Sequence, residues 1–131
     1  VRCTMKIEDL AFIASKSNNM ERDITEYCEQ YLCTPPECLN QLTLHVAENY
    51  HTGKYSYEFS DEVVNLVFGH MTDDFILDHT VGNTLPEPAF SIYLAFDSGE
   101  YQRRSDADTV CPIKKYTDPE IALILEEYKG T

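Results

Sequence analysis

Three of the five cysteines recur at intervals of five residues, at Cys28, Cys33 and Cys38. Thiolates bind zinc, but structural zinc sites usually combine closely spaced pairs of ligands from separate parts of a chain. Here a helix boundary predicted at Thr34–Pro36 separates the last two cysteines, and free cysteines are commonly small buried hydrophobic residues. We therefore interpret the three residues as buried thiols and predict neither a metal site nor a cofactor.

Other residue types that support catalysis are present without the spacing that catalysis requires. The four histidines are His45, His51, His70 and His79, and they show no ligand-like spacing to one another. The chain has no G-x-S-x-G motif, no cysteine-protease signature and no phosphate-binding glycine loop. Because there are 23 acidic residues, chance pairs of carboxylates are inevitable and no single pair indicates acid–base chemistry. We predict that the protein is not an enzyme and keep a small carboxylate-based hydrolase as a second alternative.

The arrangement of the acidic residues is the most informative chemical feature of the chain. One group lies where a predicted helix passes into a loop, and a second group, interleaved with tyrosines, follows the most apolar segment. Tyrosines supply buried contact area at an interface, while carboxylates steer a basic partner and accept charge-assisted hydrogen bonds from Lys or Arg. Arg103 and Arg104 lie inside the second group and could pair with it internally. The predicted partner-binding residues are Asp73, Asp74, Asp78, Tyr93, Asp97, Glu100, Tyr101, Asp106 and Asp108.

The whole chain is strongly acidic, with 23 acidic and 10 basic residues and a formal net charge of −13. Such a field repels nucleic acid and anionic membranes, and it attracts cationic proteins at raised on-rates. Acidity that serves solubility alone is the alternative explanation. We expect a basic protein partner, and neither a nucleic acid nor a membrane.

The segment 88–101 is the most apolar of the chain and predicts the helix around which the other elements are organised. Phe90, Tyr93 and Leu94 recur at i, i+3 and i+4, and Ile92 and Phe96 widen the apolar arc. This pattern predicts a helix that is buried on most of its sides. Asp97 continues this spacing at i+7, just before a glycine that should end the helix. This helix should therefore join the core to an acidic surface.

Start signals predict the helices that surround this segment. The strongest is Thr34, which is followed by a proline at the first helical position and by a glutamate at the third. The second predicted helix should bury Leu32, and alternation over 54–59 predicts one short extended segment. The predicted starts are Lys6, Asn18, Thr34, Ser60 and Thr117. The 131 residues therefore predict a mainly α, single-domain bundle (1–131) of about six helices.

The sequence also favours a cytoplasmic location. The run from Met5 to Ser15 does not resemble a signal peptide, because Lys6, Glu8 and Asp9 interrupt it. No apolar stretch approaches the roughly 20 residues that a membrane span needs. An odd number of cysteines cannot all pair within one chain, which is consistent with reduced thiols.

Two segments, Tyr93-Leu94-Ala95-Phe96-Asp97-Ser98-Gly99-Glu100-Tyr101 and Tyr116-Thr117-Asp118-Pro119-Glu120-Ile121, give the chain a resemblance to a known group. From Tyr57 onward it resembles small bacterial immunity proteins of polymorphic toxin systems, which include those of contact-dependent growth inhibition. The resemblance implies a cytosolic protein that binds one cognate toxin domain, often a basic nuclease, and blocks its active site or substrate groove. It identifies no toxin-contacting residue. An acidic intracellular adaptor or regulatory subunit for another basic protein is the first alternative.

Overall fold

The computed structural model describes residues 5–16 and 19–129, and it confirms a mainly helical fold in a single compact domain. No strand occurs in these residues, and the short helix α5 accounts for the difference from the predicted number of helices. A 3₁₀ turn at Val81–Asn83 and a π-helical turn at Ile113–Thr117 lie between helices. The helices are α1 (Ile7–Ala14), α2 (Met20–Tyr31), α3 (Pro35–His51), α4 (Tyr57–Phe68), α5 (Asp74–Leu77), α6 (Ala89–Asp97) and α7 (Asp118–Lys129).

The centre of the bundle is α3, which has 17 residues and packs against each of the other six helices. Its start was correctly predicted, because the Thr34 side chain accepts a hydrogen bond from the Glu37 backbone N–H at 3.4 Å. The Glu37 carboxylate in turn accepts from the Thr34 backbone N–H at 3.4 Å. A cap of this kind stabilises a helix by about 1 kcal/mol. Leu39, Leu42 and Val46 are fully buried and carry the core-facing side of the helix.

The helix α6 forms where it was predicted, and Ile92 and Phe96 of its predicted apolar arc are buried, but another part of that arc is exposed. Ala89, Ile92 and Phe96 are fully buried, whereas Leu94, predicted to face the core, is 46% exposed. Phe90 and Tyr93 are half-buried at the edge of the core. An almost wholly apolar helix offers several possible stripes, so its sequence alone does not select the one that packs against α3 and α4.

The helix α4 begins one turn earlier than predicted. The Ser56 side chain accepts a hydrogen bond from the Phe59 backbone N–H at 3.1 Å, so Ser56 and not Ser60 is the N-cap. Ser60 lies inside the helix and is fully buried. The predicted extended segment at 54–59 is therefore wrong in its second half: residues 54 and 55 form a bend, Ser56 is extended and Tyr57 starts the helix. Both serines are competent caps, and the earlier start brings Tyr57 against the core residue Phe96.

Two further predicted features differ at helix ends. Leu32 is not buried but is the C-cap of α2, with a left-handed backbone (φ 55°) and a side chain that is 91% exposed. The Thr117 hydroxyl does not cap α7, because it is buried and donates to the Ala95 carbonyl at 2.7 Å. The predicted cap at Asn18 lies outside the described residues, and Asn19 accepts the capping bond from the Arg22 N–H at 3.1 Å. None of the helices in the described ranges combines the length and apolar character of a membrane span.

Candidate protein-binding surface

Three carboxylates, Asp61, Asp97 and Glu100, lie together where α4 packs against the end of α6, and we call them the acidic cluster. When Glu100 is protonated it can donate a hydrogen bond to Asp97, and the charge of Asp61 acts on Glu100. Asp61 comes from the second turn of α4, and Asp97 is the last residue of α6. The contact between two helices therefore brings together acids that are distant in sequence.

Like charge and desolvation make the acidic cluster a favourable place for a cation. Desolvation, with the nearby charge of Asp97, raises the pKa of Asp61 above its ordinary value. Desolvation, the hydrogen bond with Asp97 and the charge of Asp61 raise the pKa of Glu100. Both shifts mean that the ionised carboxylates destabilise one another. A cation placed among them would remove that destabilisation.

The chain itself provides no cation to the acidic cluster in the part that the structure describes. The ion pairs there join Arg22 to Asp23, His70 to Asp73 and Lys115 to Asp106. None of them includes a member of the acidic cluster. The cluster is thus an uncompensated negative surface.

A stack of aromatic rings borders the acidic cluster. The Tyr93 ring lies parallel to that of Phe68, with centroids 3.9 Å apart and planes 4° apart, and Phe90 stacks on the same pair. Desolvation raises the pKa of Tyr93, and the charges of Asp97, Glu100 and Asp61 raise it further. The half-buried Tyr93 therefore lies within electrostatic range of the acids. Flat rings beside carboxylates suit a guanidinium or ammonium group.

Gly99 allows the segment just before Glu100 to pack closely against the core. It is buried, and a Cβ built there would clash with Thr117 Oγ1 and lie 3.0 Å from the Tyr57 hydroxyl oxygen. That hydroxyl donates to the Phe96 carbonyl at 2.5 Å. The close approach of these groups, and not a special φ, requires glycine at this position.

The first predicted acidic group lies elsewhere, on α5. Asp73 precedes this helix and interacts with His70, its Oδ2 lying 2.7 Å from His70 Nδ1. Asp74 and Asp78 are exposed at its two ends. Among the described residues, no hydrogen bond or ion pair joins this group to the acidic cluster. The structure thus brings Asp97 and Glu100 together with Asp61, and it shows no such contact for Asp74 and Asp78 in the described residues.

The second predicted group is divided by internal pairing. Asp106 binds Lys115 and the Tyr116 hydroxyl, and these two bonds lower the pKa of Asp106. Its side chain is only 7% exposed, and both of its carboxylate oxygens already have an internal partner. Tyr101 is 55% exposed, and Asp108 is also exposed on the loop.

The sequence allowed Arg103 and Arg104 to pair with the acids of this segment. The charge of Arg103 does act on Asp106, but the direct contacts of its guanidinium are with aromatic rings and carbonyls. Its guanidinium carbon lies 3.6 Å from the ring centroid of Tyr116 and 4.2 Å from that of Tyr101. It also donates to the Ser98 carbonyl at 2.8 Å. Lys115, which the sequence did not single out, is the residue that pairs with Asp106.

Sequence reasoning found Tyr93, Asp97 and Glu100 but missed Asp61 and Tyr57. Whether Tyr57 and Asp61 lie on one helical face depends on where α4 begins. Once Ser56 is the N-cap, Tyr57 and Asp61 are one turn apart on the same face of the helix. The i, i+4 spacing of these two residues was the available signal.

A separate pocket of about 440 Å³ is lined by Tyr50, His51, Gly53, Tyr55 and Asp118. Its one carboxylate, Asp118, accepts a hydrogen bond from the Tyr50 hydroxyl at 2.5 Å. Burial, together with this bond, raises the pKa of Tyr50. The lining contains one carboxylate, whereas the carboxylate-based hydrolase alternative would lead us to expect converging carboxylates.

Metal chemistry has no prepared ligand set in residues 5–16 and 19–129. No group of three or more His, Cys, Asp and Glu side chains there is arranged to hold a metal ion. This holds for the acidic cluster and for Cys28, Cys33 and Cys38.

Comparisons with protein-family models, with curated proteins and with solved structures return no match. The interpretation of this surface therefore depends on its geometry and charge, together with the sequence resemblance.

Proposed function

We propose that this protein is a cytoplasmic immunity protein that binds and neutralises a cognate toxin domain, expected to be a basic nuclease. It would act by blocking the active site or substrate groove of that domain. The observation that supports the proposal best is the acidic cluster of Asp61, Asp97 and Glu100, which has no cationic partner among the described residues and borders stacked aromatic rings.

The physical basis is the exchange of repulsion for attraction. A Lys or Arg side chain of the toxin would enter among carboxylates that destabilise one another in the free protein. Where this side chain is Arg, its planar guanidinium would stack on the Tyr93 ring. Carboxylates would thereby occupy places on the toxin where its substrate presents phosphates. The net charge of −13 would raise the rate of encounter with a basic partner.

The test compares two triple variants that remove the same charge. One replaces the acidic cluster (Asp61→Asn, Asp97→Asn, Glu100→Gln), and the matched control replaces the exposed acids Glu26, Glu29 and Glu126, none of them a predicted partner-binding residue, by glutamine. Each is co-expressed with the toxin domain of the upstream open reading frame, and growth and dissociation constants are measured. We expect the cluster variant to bind at least about 100-fold more weakly and to lose protection, because charge-assisted contacts are lost. The control should protect growth.

Each other outcome has a defined meaning. Equal loss in both variants would show that overall charge, and not this surface, determines binding. Full protection by the cluster variant would place the interface elsewhere. Binding of a basic protein without growth protection would favour the adaptor hypothesis over an immunity function.

A further inference from the structure

The three cysteines that recur every five residues converge at the corner between α2 and α3, and we call them the thiol cluster. Cys28 lies in the last turn of α2, and its carbonyl accepts the Cys33 backbone N–H at 3.2 Å. The left-handed Leu32 makes this tight reversal, and the capped start of α3 then returns the chain so that Cys38 faces Cys28. A spacing that fits no metal motif thus produces a compact group of thiols.

Cys28 is the shared member of this group. Its sulfur accepts hydrogen bonds from the Cys38 thiol and the Cys33 thiol. These bonds, that of Cys38 foremost, lower the pKa of Cys28 below its ordinary value. Burial and the charge of Cys28 raise the pKa of Cys33 to about 12, and the bond to Cys28 raises that of Cys38. Cys28 is therefore the thiol that ionises first, and a thiolate is the reactive form of cysteine.

The surroundings limit which reagents can reach the thiolate. Cys38 is fully buried and Cys28 is 8% exposed, whereas Cys33 is half-buried and forms the outer edge of the cluster. The nearby charge of Glu37 opposes ionisation of Cys28 and disfavours anionic reagents. A small neutral oxidant fits this opening better than a bulky or charged one. No metal-holding arrangement involves these residues.

We propose that the thiol cluster is a site of reversible oxidation at which hydrogen peroxide joins Cys28 to one of its two neighbours in a disulfide. The Cys28 thiolate attacks one peroxide oxygen, the O–O bond breaks, and hydroxide leaves a sulfenic acid on Cys28. The Cys33 or Cys38 sulfur then attacks the Cys28 sulfur, the S–O bond breaks, and water leaves with the proton of the attacking thiol. Two thiols are oxidised and one peroxide is reduced to two waters. A small thiol such as glutathione reverses the reaction by disulfide exchange.

The experiment exposes the native full chain to hydrogen peroxide, alkylates the remaining thiols and maps the cysteine peptides by mass spectrometry. The exposed Cys111 serves as the internal comparison. We expect disulfides that always contain Cys28, formed at least about fivefold faster than Cys111 is oxidised, because Cys28 is activated and has adjacent resolving thiols. Glutathione should restore the free thiols. Oxidation of the cluster no faster than that of Cys111, or products without a disulfide, would overturn the proposal.

Two variants sharpen the assignment. Cys28→Ser should abolish disulfide formation, whereas the matched control Cys111→Ser should leave its rate unchanged. A Cys33–Cys38 disulfide that forms in Cys28→Ser at the wild-type rate would contradict the role of Cys28. Because Cys28→Ser could weaken the fold, Cys33→Ser and Cys38→Ser, each of which leaves Cys28 one neighbouring thiol, are oxidised in the same way. At least one of them should still form a disulfide that contains Cys28, and loss of this disulfide in both variants would overturn the proposal.

Discussion

Asp61 has a carboxylate oxygen, Oδ1, that is buried without a hydrogen-bond partner among the described residues. Such an arrangement favours the neutral form of the acid, because desolvation penalises the charge and the neighbouring carboxylates add repulsion. Under the proposed function, a cationic partner would relieve this unfavourable interaction. At the scale of single residues, the acidic cluster therefore lowers the stability of the free protein at a place where the proposed partner would restore it.

The substitution Asp61→Asn should raise the free energy of unfolding at neutral pH by about 0.5 kcal/mol, since it removes one of three repelling charges. Asp108→Asn, at an exposed loop position, is the matched control and should change stability by less. Urea unfolding of both variants measures the difference. A destabilised Asp61→Asn protein would show that the carboxylate has a favourable partner after all.

The pH dependence of stability follows from the raised pKa values of Asp61 and Glu100. The folded state binds protons at these sites more tightly than the unfolded state. Their contribution is therefore fully present below the ordinary carboxylate pKa of about 4 and is lost as pH rises through the higher folded values. Unfolding measured between about pH 4 and 7 should show this loss in wild type and less of it in Asp61→Asn. Identical profiles would contradict the assignment.

At the scale of elements, the end of α6 is held by close packing. Gly99→Ala should destabilise the fold by about 1–3 kcal/mol, because the new methyl group would clash with Thr117 Oγ1 and crowd the Tyr57 hydroxyl. Gly69→Ala is the matched control, since its Cβ would meet the Leu66 carbonyl oxygen at 3.4 Å, an ordinary contact. Thermal unfolding of the two variants tests this. Equal unfolding midpoints for the two variants would show that the packing around Gly99 adjusts to the new methyl group without a loss of stability.

The boundaries of the helices show which local signals are decisive. Thr34 starts α3 as predicted, because proline and glutamate follow it and no competing cap is near. Ser60 does not start α4, because Ser56 offers the same cap one turn earlier. Thr117 has the sequence of a capping box but uses its hydroxyl to bind Ala95. A cap motif is reliable only where tertiary packing does not compete for the same side chain.

At the scale of the whole molecule, the net charge of −13 predicts how a partner arrives. The on-rate for a basic toxin domain should fall by about tenfold as salt rises from about 10 to about 150 mM, because screening shortens the range of attraction. Stopped-flow mixing at several salt concentrations measures this slope, and the acidic-cluster variant should show a shallower one. An on-rate that does not respond to salt would contradict electrostatic steering.

The sequence by itself determined the helical class, the compact single domain and the strong negative charge, because composition and 3.6-residue periodicity are local properties of the chain. It also identified Tyr93, Asp97 and Glu100, which lie close together in one segment. The two predicted acidic groups lie on different elements, and no hydrogen bond or ion pair of the described residues joins them.

Only the tertiary structure decided which acids act together. Asp61 lies beside Asp97 and Glu100 because α4 packs against α6. Asp106 is instead engaged in an ion pair with Lys115. Likewise, the thiol cluster exists because α2 and α3 meet at a tight corner. Side-chain proximity depends on helix packing and chain reversal, and periodicity along one helix carries no information about its neighbour's register.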